Sequence, residues 1–219
     1  MKKMIIVATY NEKDNIANIL AEIYKNLPDV HVLVIDDNSP DKTYEIVEQL
    51  ALDKYPNQLF LLRRAGKLGL GTAYVAGFKW GLERDYDAIG QMDADFSHNP
   101  KYLPEMFGTL NAYDLAIGSR YVKGGGVVNW SAKRKFISRG GSLYSKLILG
   151  LPINDLTGGF KCWRREALAT IGIDKLISTG FCFQIETTFK AFINGLSFII
   201  IWTNTFPLIT GWALPEKCF

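Results

Sequence analysis

Asp93, Ala94 and Asp95 close an apolar run, Ala88-Ile89-Gly90-Gln91-Met92. Two carboxylates one residue apart, where a buried strand gives way to a loop, make a hard oxygen site. Such a site suits Mg2+ or Mn2+, with a substrate phosphate completing the shell. An ion held there would neutralise a leaving diphosphate. Ser97 or a main-chain group could add an oxygen. The same residues also suit an ordinary acidic turn before a helix opened by Pro100, so the neighbouring clusters decide.

Asp36-Asp37-Asn38-Ser39 also follows an apolar run. These residues can accept hydrogen bonds from a base or from ribose hydroxyls, or they can cap a helix. Tyr10 can stack on a base and Glu12 can hold its polar edge; Glu12 equally suits a helix start. Gly66-Lys67-Leu68-Gly69-Leu70-Gly71 could approach phosphates through main-chain N–H groups. Its glycine spacing is neither a Walker loop nor a dinucleotide fingerprint. Arg120 follows the run Leu115 to Ile117 and suits bidentate phosphate binding, with Arg134 or Arg139 beside it.

The elements that must position these groups alternate. Met4–Ala8, Val30–Ile35, Leu59–Leu62, Tyr86–Met92 and Leu115–Ile117 are apolar runs of strand length. Between them Ile16, Ile19, Leu20, Ile23, Tyr24 and Leu27 recur at helical spacing, as do Ile46, Val47, Leu50 and Ala51. Tyr74, Phe78 and Leu82 mark a third helix, and Leu103, Met106, Phe107 and Leu110 a fourth. Continuously apolar strands alternating with helices predict an α/β fold, a parallel sheet covered on both faces. Ligands of such sheets bind beyond the carboxyl ends of the strands, where the polar clusters fall. Ser131–Leu149 reads as a basic amphipathic helix or helix pair, suited to an anionic membrane or to a core with exposed lysines. Asn154–Phe160 reads as a polar, glycine-rich loop and Gln184–Ile193 as a helix.

The chain has 219 residues, 48% hydrophobic and 21% charged, enough for one core and too apolar for disorder. A net charge of +3 gives no indication of nucleic acid. Cys162, Cys182 and Cys218 form no CxxC and are expected to be reduced core thiols of a cytoplasmic protein. His31 and His98 fit no metal-ligand pattern, and His31 is expected simply to pack. The apolar runs at the N-terminus and at Leu196–Trp202 are too short to span a bilayer, so any membrane contact is expected to be peripheral.

These motifs closely resemble the inverting nucleotide-sugar glycosyltransferases of GT-A fold, and within them the polyprenyl-phosphate (dolichol-phosphate) mannose synthases. The resemblance covers about residues 3 to 200. It rests on Ala8-Thr9-Tyr10-Asn11-Glu12, Asp36 to Thr43, Gly66 to Tyr74, Met92 to Pro100, Gly118-Ser119-Arg120-Tyr121 and Asp155-Leu156-Thr157-Gly158-Gly159-Phe160. It implies a GT-A (Rossmann-like), mostly parallel sheet with an acceptor-side amphipathic helical segment. It implies that Ala8, Tyr10, Glu12, Ile35, Asp37, Lys67, Asp93 and Ala94 bind the nucleotide-sugar donor, most simply GDP-mannose. Asp93, Asp95 and Ser97 would hold Mg2+ or Mn2+. Arg120, Arg134 and Asp155 would face the polyprenyl phosphate acceptor, with Asp95, Arg120 and Arg134 catalytic. Residues 1–120 would form the donor half and 121–200 the acceptor half of one domain. It would sit on the cytoplasmic face of a membrane, through about residues 131–149 or a separate anchor subunit. Ala8 stands where the family has proline.

The C-terminus departs from the pattern. The family continues with an arginine and a glycine-serine-lysine element that closes over donor and acceptor phosphates. Here no arginine follows Arg165, and after Ile200 the only lysine is Lys217. Residues 201–219 are therefore expected to be a frameshifted or truncated tail. Two rival readings follow: another donor or acceptor, with Asp155 as base for a hydroxyl acceptor, or a donor-binding protein without turnover.

Overall fold

The structure is a computed structural model, and it describes residues 1–119, 150, 153, 155–180 and 182–203. Arg120, Arg134, the basic segment 131–149 and the tail from residue 204 lie outside the described residues.

The first half alternates as the apolar runs predict. The order is β1 (Lys3–Thr9), α1 (Ile16–Asn26), β2 (His31–Asp36), α2 (Thr43–Asp53), β3 (Leu59–Arg63), α3 (Leu70–Leu82) and β4 (Ala88–Asp93). A 3-10 turn at Pro100–Tyr102 leads into α4 (Leu103–Thr109), then β5 (Leu115–Ser119). The second half adds β6 (Lys161–Arg164), α5 (Arg165–Ile171), α6 (Cys182–Ile193) and β7 (Phe198–Trp202).

These strands form one seven-stranded sheet in the order β3-β2-β1-β4-β6-β5-β7. It is parallel except at β6, which runs antiparallel to both β4 and β5. The sheet is thus mostly parallel, as expected, and β6 is the strand that the apolar runs did not announce. Lys161-Cys162-Trp163-Arg164 is too short and too polar at its ends to announce a strand. Its reversed direction matters for the site. The loop before β6 arrives at the sheet edge where β4 ends, and Gln91 of β4 sits level with Lys161.

Alternate residues of the strands feed two cores. Ile5, Val7, Val32 and Val34 pack with Ile16, Ile19, Leu20 and Ile23 of α1 and with α4. Met4, Ile6, Leu33 and Ile35 pack on the other face with Tyr74 and Phe78 of α3, Leu168 of α5 and Phe183 of α6. Each fully buried large aliphatic or aromatic side chain contributes about 1.5–3 kcal/mol of transfer energy. Gly77 lets α3 lie against the sheet, since a Cβ there would stand 2.7 Å from Ile6 Cδ1 and 2.8 Å from Ile35 Cδ1. Because crossovers are right-handed, the turn from β1-β2-β3 back to β4 moves the helices from one face to the other. That reversal opens a crevice between the carboxyl ends of β1 and β4.

Cys162 is buried on β6, as expected of a core thiol, but Cys182 is exposed at the start of α6. The expectation of core thiols fails for Cys182, since the first turn of α6 leaves it on the solvent side. His31 packs edge-on against Phe60 and Tyr86, its Nδ1 2.6 Å from the Tyr86 hydroxyl.

Candidate active site

The loops after β1 and β2 are laced together by polar side chains. Asn11 N donates to Ser39 Oγ at 3.0 Å, Glu12 N to Thr43 Oγ1 at 3.0 Å and Lys13 N to Asp41 Oδ2 at 3.0 Å. Asn11 takes a positive φ of 60°, a conformation asparagine tolerates better than most residues. Asp36 is fully buried and accepts from Thr9 Oγ1, Ser39 N and Ser39 Oγ. Asp36 thus shapes the turn. Asp37, the next residue, turns instead toward the glycine loop.

Asp37 is held by a partner that sequence spacing did not single out. Arg64, just past β3, forms a buried ion pair with it, and Leu68 N and Gly69 N donate to Asp37 Oδ2 at 3.1 and 3.2 Å. Two of the glycine-loop amides that a phosphate could have used are therefore engaged with a protein carboxylate. Arg64 also donates to Thr72 Oγ1 and to Gly69 O, which fixes the loop at the start of α3. Lys67, exposed on this loop, places its ammonium 4.3 Å from the centre of the Tyr10 ring. Ala8 ends level with Asp93 in the sheet. Ile35 is fully buried, its side chain in the core below the crevice.

The Asp93–Asp95 turn is tied down from three sides. Tyr74 donates its hydroxyl to Asp93 Oδ1 at 2.9 Å. Asp93 N donates to His98 Nδ1 at 3.0 Å, so neutral His98 carries its proton on Nε2, 3.9 Å from Asp93 Oδ2. His98 is buried and stacks on Phe160 of the loop before β6. Ser97 N donates to Asp95 Oδ1 at 3.0 Å, and Phe96 between them has φ 59°. Ala94 is buried, while Asp93 and Asp95 stay partly open to solvent. Asp155 is buried near the end of β5: a Cβ on Gly158 would lie 3.4 Å from Asp155 Oδ1 and 3.5 Å from Gly118 O.

Negative charge is concentrated here. Burial pushes the Glu12 carboxyl up to about 7; a hydrogen bond from Asn15 opposes this, and the charges of Asp95, Asp93 and Asp41 add to it. Burial, with Asp93 beside it, holds the Tyr74 hydroxyl well above its ordinary range, so it stays a donor. The donor set fits a hard divalent cation. Among the described residues no group of three or more acidic, histidine or cysteine side chains could hold an ion alone. The protein thus offers two carboxylates, and water and a diphosphate would fill the remaining positions, as Mg2+ commonly requires. His98 is excluded as a ligand through Nδ1, which is already an acceptor.

Sequence reading missed Arg64, Tyr74, His98 and Gln184 in this region. Arg64 carried a usable signal, a cation directly after a strand at the same edge as the acidic clusters. Tyr74 was hidden in an apolar helical stripe, and His98 in the absence of a ligand pattern.

The doubly covered sheet, with an aspartate pair at its switch point and Glu12 within electrostatic reach of it, is that of the GT-A glycosyltransferases. The chain belongs to the family described as Glycosyl transferase family 2, whose model matches residues 4–172. It is 43% identical over 199 residues to the polyprenol monophosphomannose synthase of Mycolicibacterium smegmatis, covering 90% of this chain and 75% of that one. It is 43% identical over 190 residues to the undecaprenyl-phosphate mannosyltransferase of Micrococcus luteus, covering 87% and 77%. In fold it is similar to glucosyl-3-phosphoglycerate synthase from Mycobacterium tuberculosis in complex with phosphoglyceric acid (TM-score 0.70, 16% identity, 93% of this chain and 70% of that one). A structure of that enzyme with Mn2+, uridine diphosphate and phosphoglyceric acid matches equally well (TM-score 0.70, 15% identity, 93% and 69%).

Proposed function

We propose that this glycosyltransferase moves a mannosyl group from GDP-mannose to a polyprenyl phosphate, with inversion at the anomeric carbon. The observation that carries this reading is the meeting of Asp93 and Asp95 with Glu12 and Asp37 at one sheet edge. The names of the two relatives support mannose and a polyprenyl phosphate as the transferred group and acceptor.

In this reading Tyr10 and Lys67 present a ring and a charge to the base. Glu12 and Asp37 hold polar groups of the nucleoside, Ala8 and Ala94 lie at the strand ends below it, and Ile35 supports that floor from the core. A divalent cation on Asp93 and Asp95, with Ser97 beside them, would supply charge neutralisation for the departing diphosphate. Arg120 and Arg134 hold the lipid phosphate, and Asp155 stands on the acceptor side. A phosphate oxygen attacks the anomeric carbon as its bond to the diphosphate breaks, and the diphosphate leaves with the electron pair. The attacking phosphate monoester is already anionic near neutral pH, so no strong general base is required. Positioning and charge stabilisation supply the rate. A lipid acceptor also calls for peripheral docking on the cytoplasmic face of a membrane, through residues 131–149 or an anchor subunit. Among the described residues no helix is long and apolar enough to cross one.

The test is a panel of nucleotide sugars with polyprenyl phosphate and either Mg2+ or Mn2+. Lipid-linked mannose from GDP-mannose is the expected product. Product from another sugar, or from a hydroxyl acceptor, would overturn the assignment. Donor binding without turnover would make this a donor-binding protein.

A further inference from the structure

Behind the aspartate pair lies a buried polar chain that the proposed reaction does not use. Trp163, Gln91, Gln184 and Lys161 are all almost fully buried. Trp163 Nε1 donates to Gln91 Oε1 at 3.2 Å, and Gln91 Nε2 donates to Gln184 Oε1 at 2.9 Å. Lys161 Nζ donates to the same Gln184 Oε1 at 3.0 Å, to Gln184 O at 2.7 Å and to Thr187 Oγ1 at 3.2 Å.

The direction of this chain is fixed at both ends. An indole N–H can only donate, so Gln91 must present its oxygen to Trp163 and its NH2 to Gln184. Lys161 donates to Gln184 from the other side. Burial lowers the lysine to about 7, with Asp155 opposing, but the amine keeps N–H donors in either state. Turning the Gln184 amide over would set its NH2 against two donors. Its oxygen therefore faces Gln91 and Lys161, and its NH2 faces the other way.

That other side borders the site. Gln184 Nε2 is buried without a hydrogen-bond partner among the described residues. The position a Cβ would take on Gly159 lies 3.3 Å from Gln184 Nε2, 3.4 Å from Asp93 Oδ2 and 3.4 Å from His98 Cε1. The amide and the carboxylate therefore border one gap, kept open by the missing side chain of Gly159. Leaving a buried amide without a partner is unfavourable, so its persistence needs a reason. We propose that Gln184 is a positioning residue for Asp93, its N–H directed at the Asp93 carboxylate across Gly159 and setting that carboxylate for the metal–diphosphate. This rests on the reading of Asp93 as a metal–diphosphate ligand.

The test is Mn2+ binding in the presence of GDP or UDP, read by the electron paramagnetic resonance signal of free and bound Mn2+. Gln184→Glu keeps an oxygen for Lys161 and Gln91. It places an acceptor where the donor faced Asp93. The expected result is at least tenfold weaker Mn2+–nucleotide binding and an altered bound line shape, with thermal unfolding close to parental. A purely structural role would leave affinity and line shape alone. Gly159→Ala, which sets a methyl group between the two side chains, should weaken binding likewise and decides the matter if Gln184→Glu does not fold. Parental affinity and line shape in either folded variant overturn the proposal. A parent protein that binds no Mn2+ with either nucleotide would instead overturn the underlying metal-site reading.

Discussion

Tyr74 in α3 donates its hydroxyl proton to Asp93 Oδ1 at the end of β4, a contact of 2.9 Å. α3 leads directly into β4, and this bond ties the helix after the glycine loop to the aspartate pair at the far end of that strand. The ring is fully buried, stacked near Phe78 and Phe183. Tyr74→Phe keeps that packing and removes only the donor. Stability should change by about 1 kcal/mol or less, while the metal requirement for sugar transfer should rise severalfold. Titrating activity against Mg2+ and Mn2+ checks this; an unchanged requirement would mean that Asp93 needs no help from α3.

The buried pair of Asp37 and Arg64 predicts an asymmetric response. Arg64→Met leaves Asp37, only 6% exposed, with two loop amides and no countercharge. Removing one partner of a buried pair costs on the order of 3–5 kcal/mol. Here the two remaining amides should hold the loss near the lower end. The double variant Asp37→Asn with Arg64→Met should recover part of it. Urea unfolding of the parent, the single and the double variant measures this. Equal stability of parent and Arg64→Met would show that the pair is not buried in solution.

What the sequence disclosed follows from period and position. β1 to β5 and their helices were legible because each strand is apolar throughout and each helix repeats at three and four. The edge clusters were legible because strand ends in such sheets gather ligand residues. β6 was not, since four residues beginning with lysine carry no strand period. Its partners come from residues 88–91 and 115–117, a pairing only the fold can set. The partners of the site residues were hidden for the same reason. Arg64 and Asp37, or Gln184 and Gly159, are distant in sequence and meet through the sheet. Two adjacent aspartates also received separate tasks, with Asp36 building the turn and Asp37 facing the loop, a division that adjacency alone cannot reveal.

Glu12 predicts a pH dependence of stability. Its carboxyl is raised to about 7, against 4.5 for the ordinary group, chiefly by burial. Between these values the folded protein holds a proton that the unfolded chain has lost. Stability from this group is thus fully present below about 4.5 and is lost as pH rises to about 7. Glu12→Gln removes the titration. It should therefore be more stable than the parent at pH 8, with the advantage shrinking toward pH 5. Denaturant unfolding across that range without metal gives the comparison. A constant difference between the two proteins would show that Glu12 ionises in the folded protein as it does in water.

Asp95 separates folding from chemistry more cleanly than Asp93. Asp93 is bonded to Tyr74 and lies beside His98, so its replacement disturbs the turn. Asp95 accepts from Ser97 N and is partly open to solvent. Asp95→Ala should therefore keep the parental unfolding temperature within a few degrees, since loss of one such bond costs about 1 kcal/mol. If Asp95 helps to neutralise a leaving diphosphate, the same change removes several kcal/mol from the transition state. Transfer should fall at least about a hundredfold. Excess Mn2+ should restore little of it, because the missing group is a ligand. The measurement is metal-dependent sugar transfer to polyprenyl phosphate, run beside thermal unfolding of the same preparation. A folded Asp95→Ala protein working at the parental rate would remove the aspartate pair from the reaction and leave it as the acidic turn that its sequence equally allows.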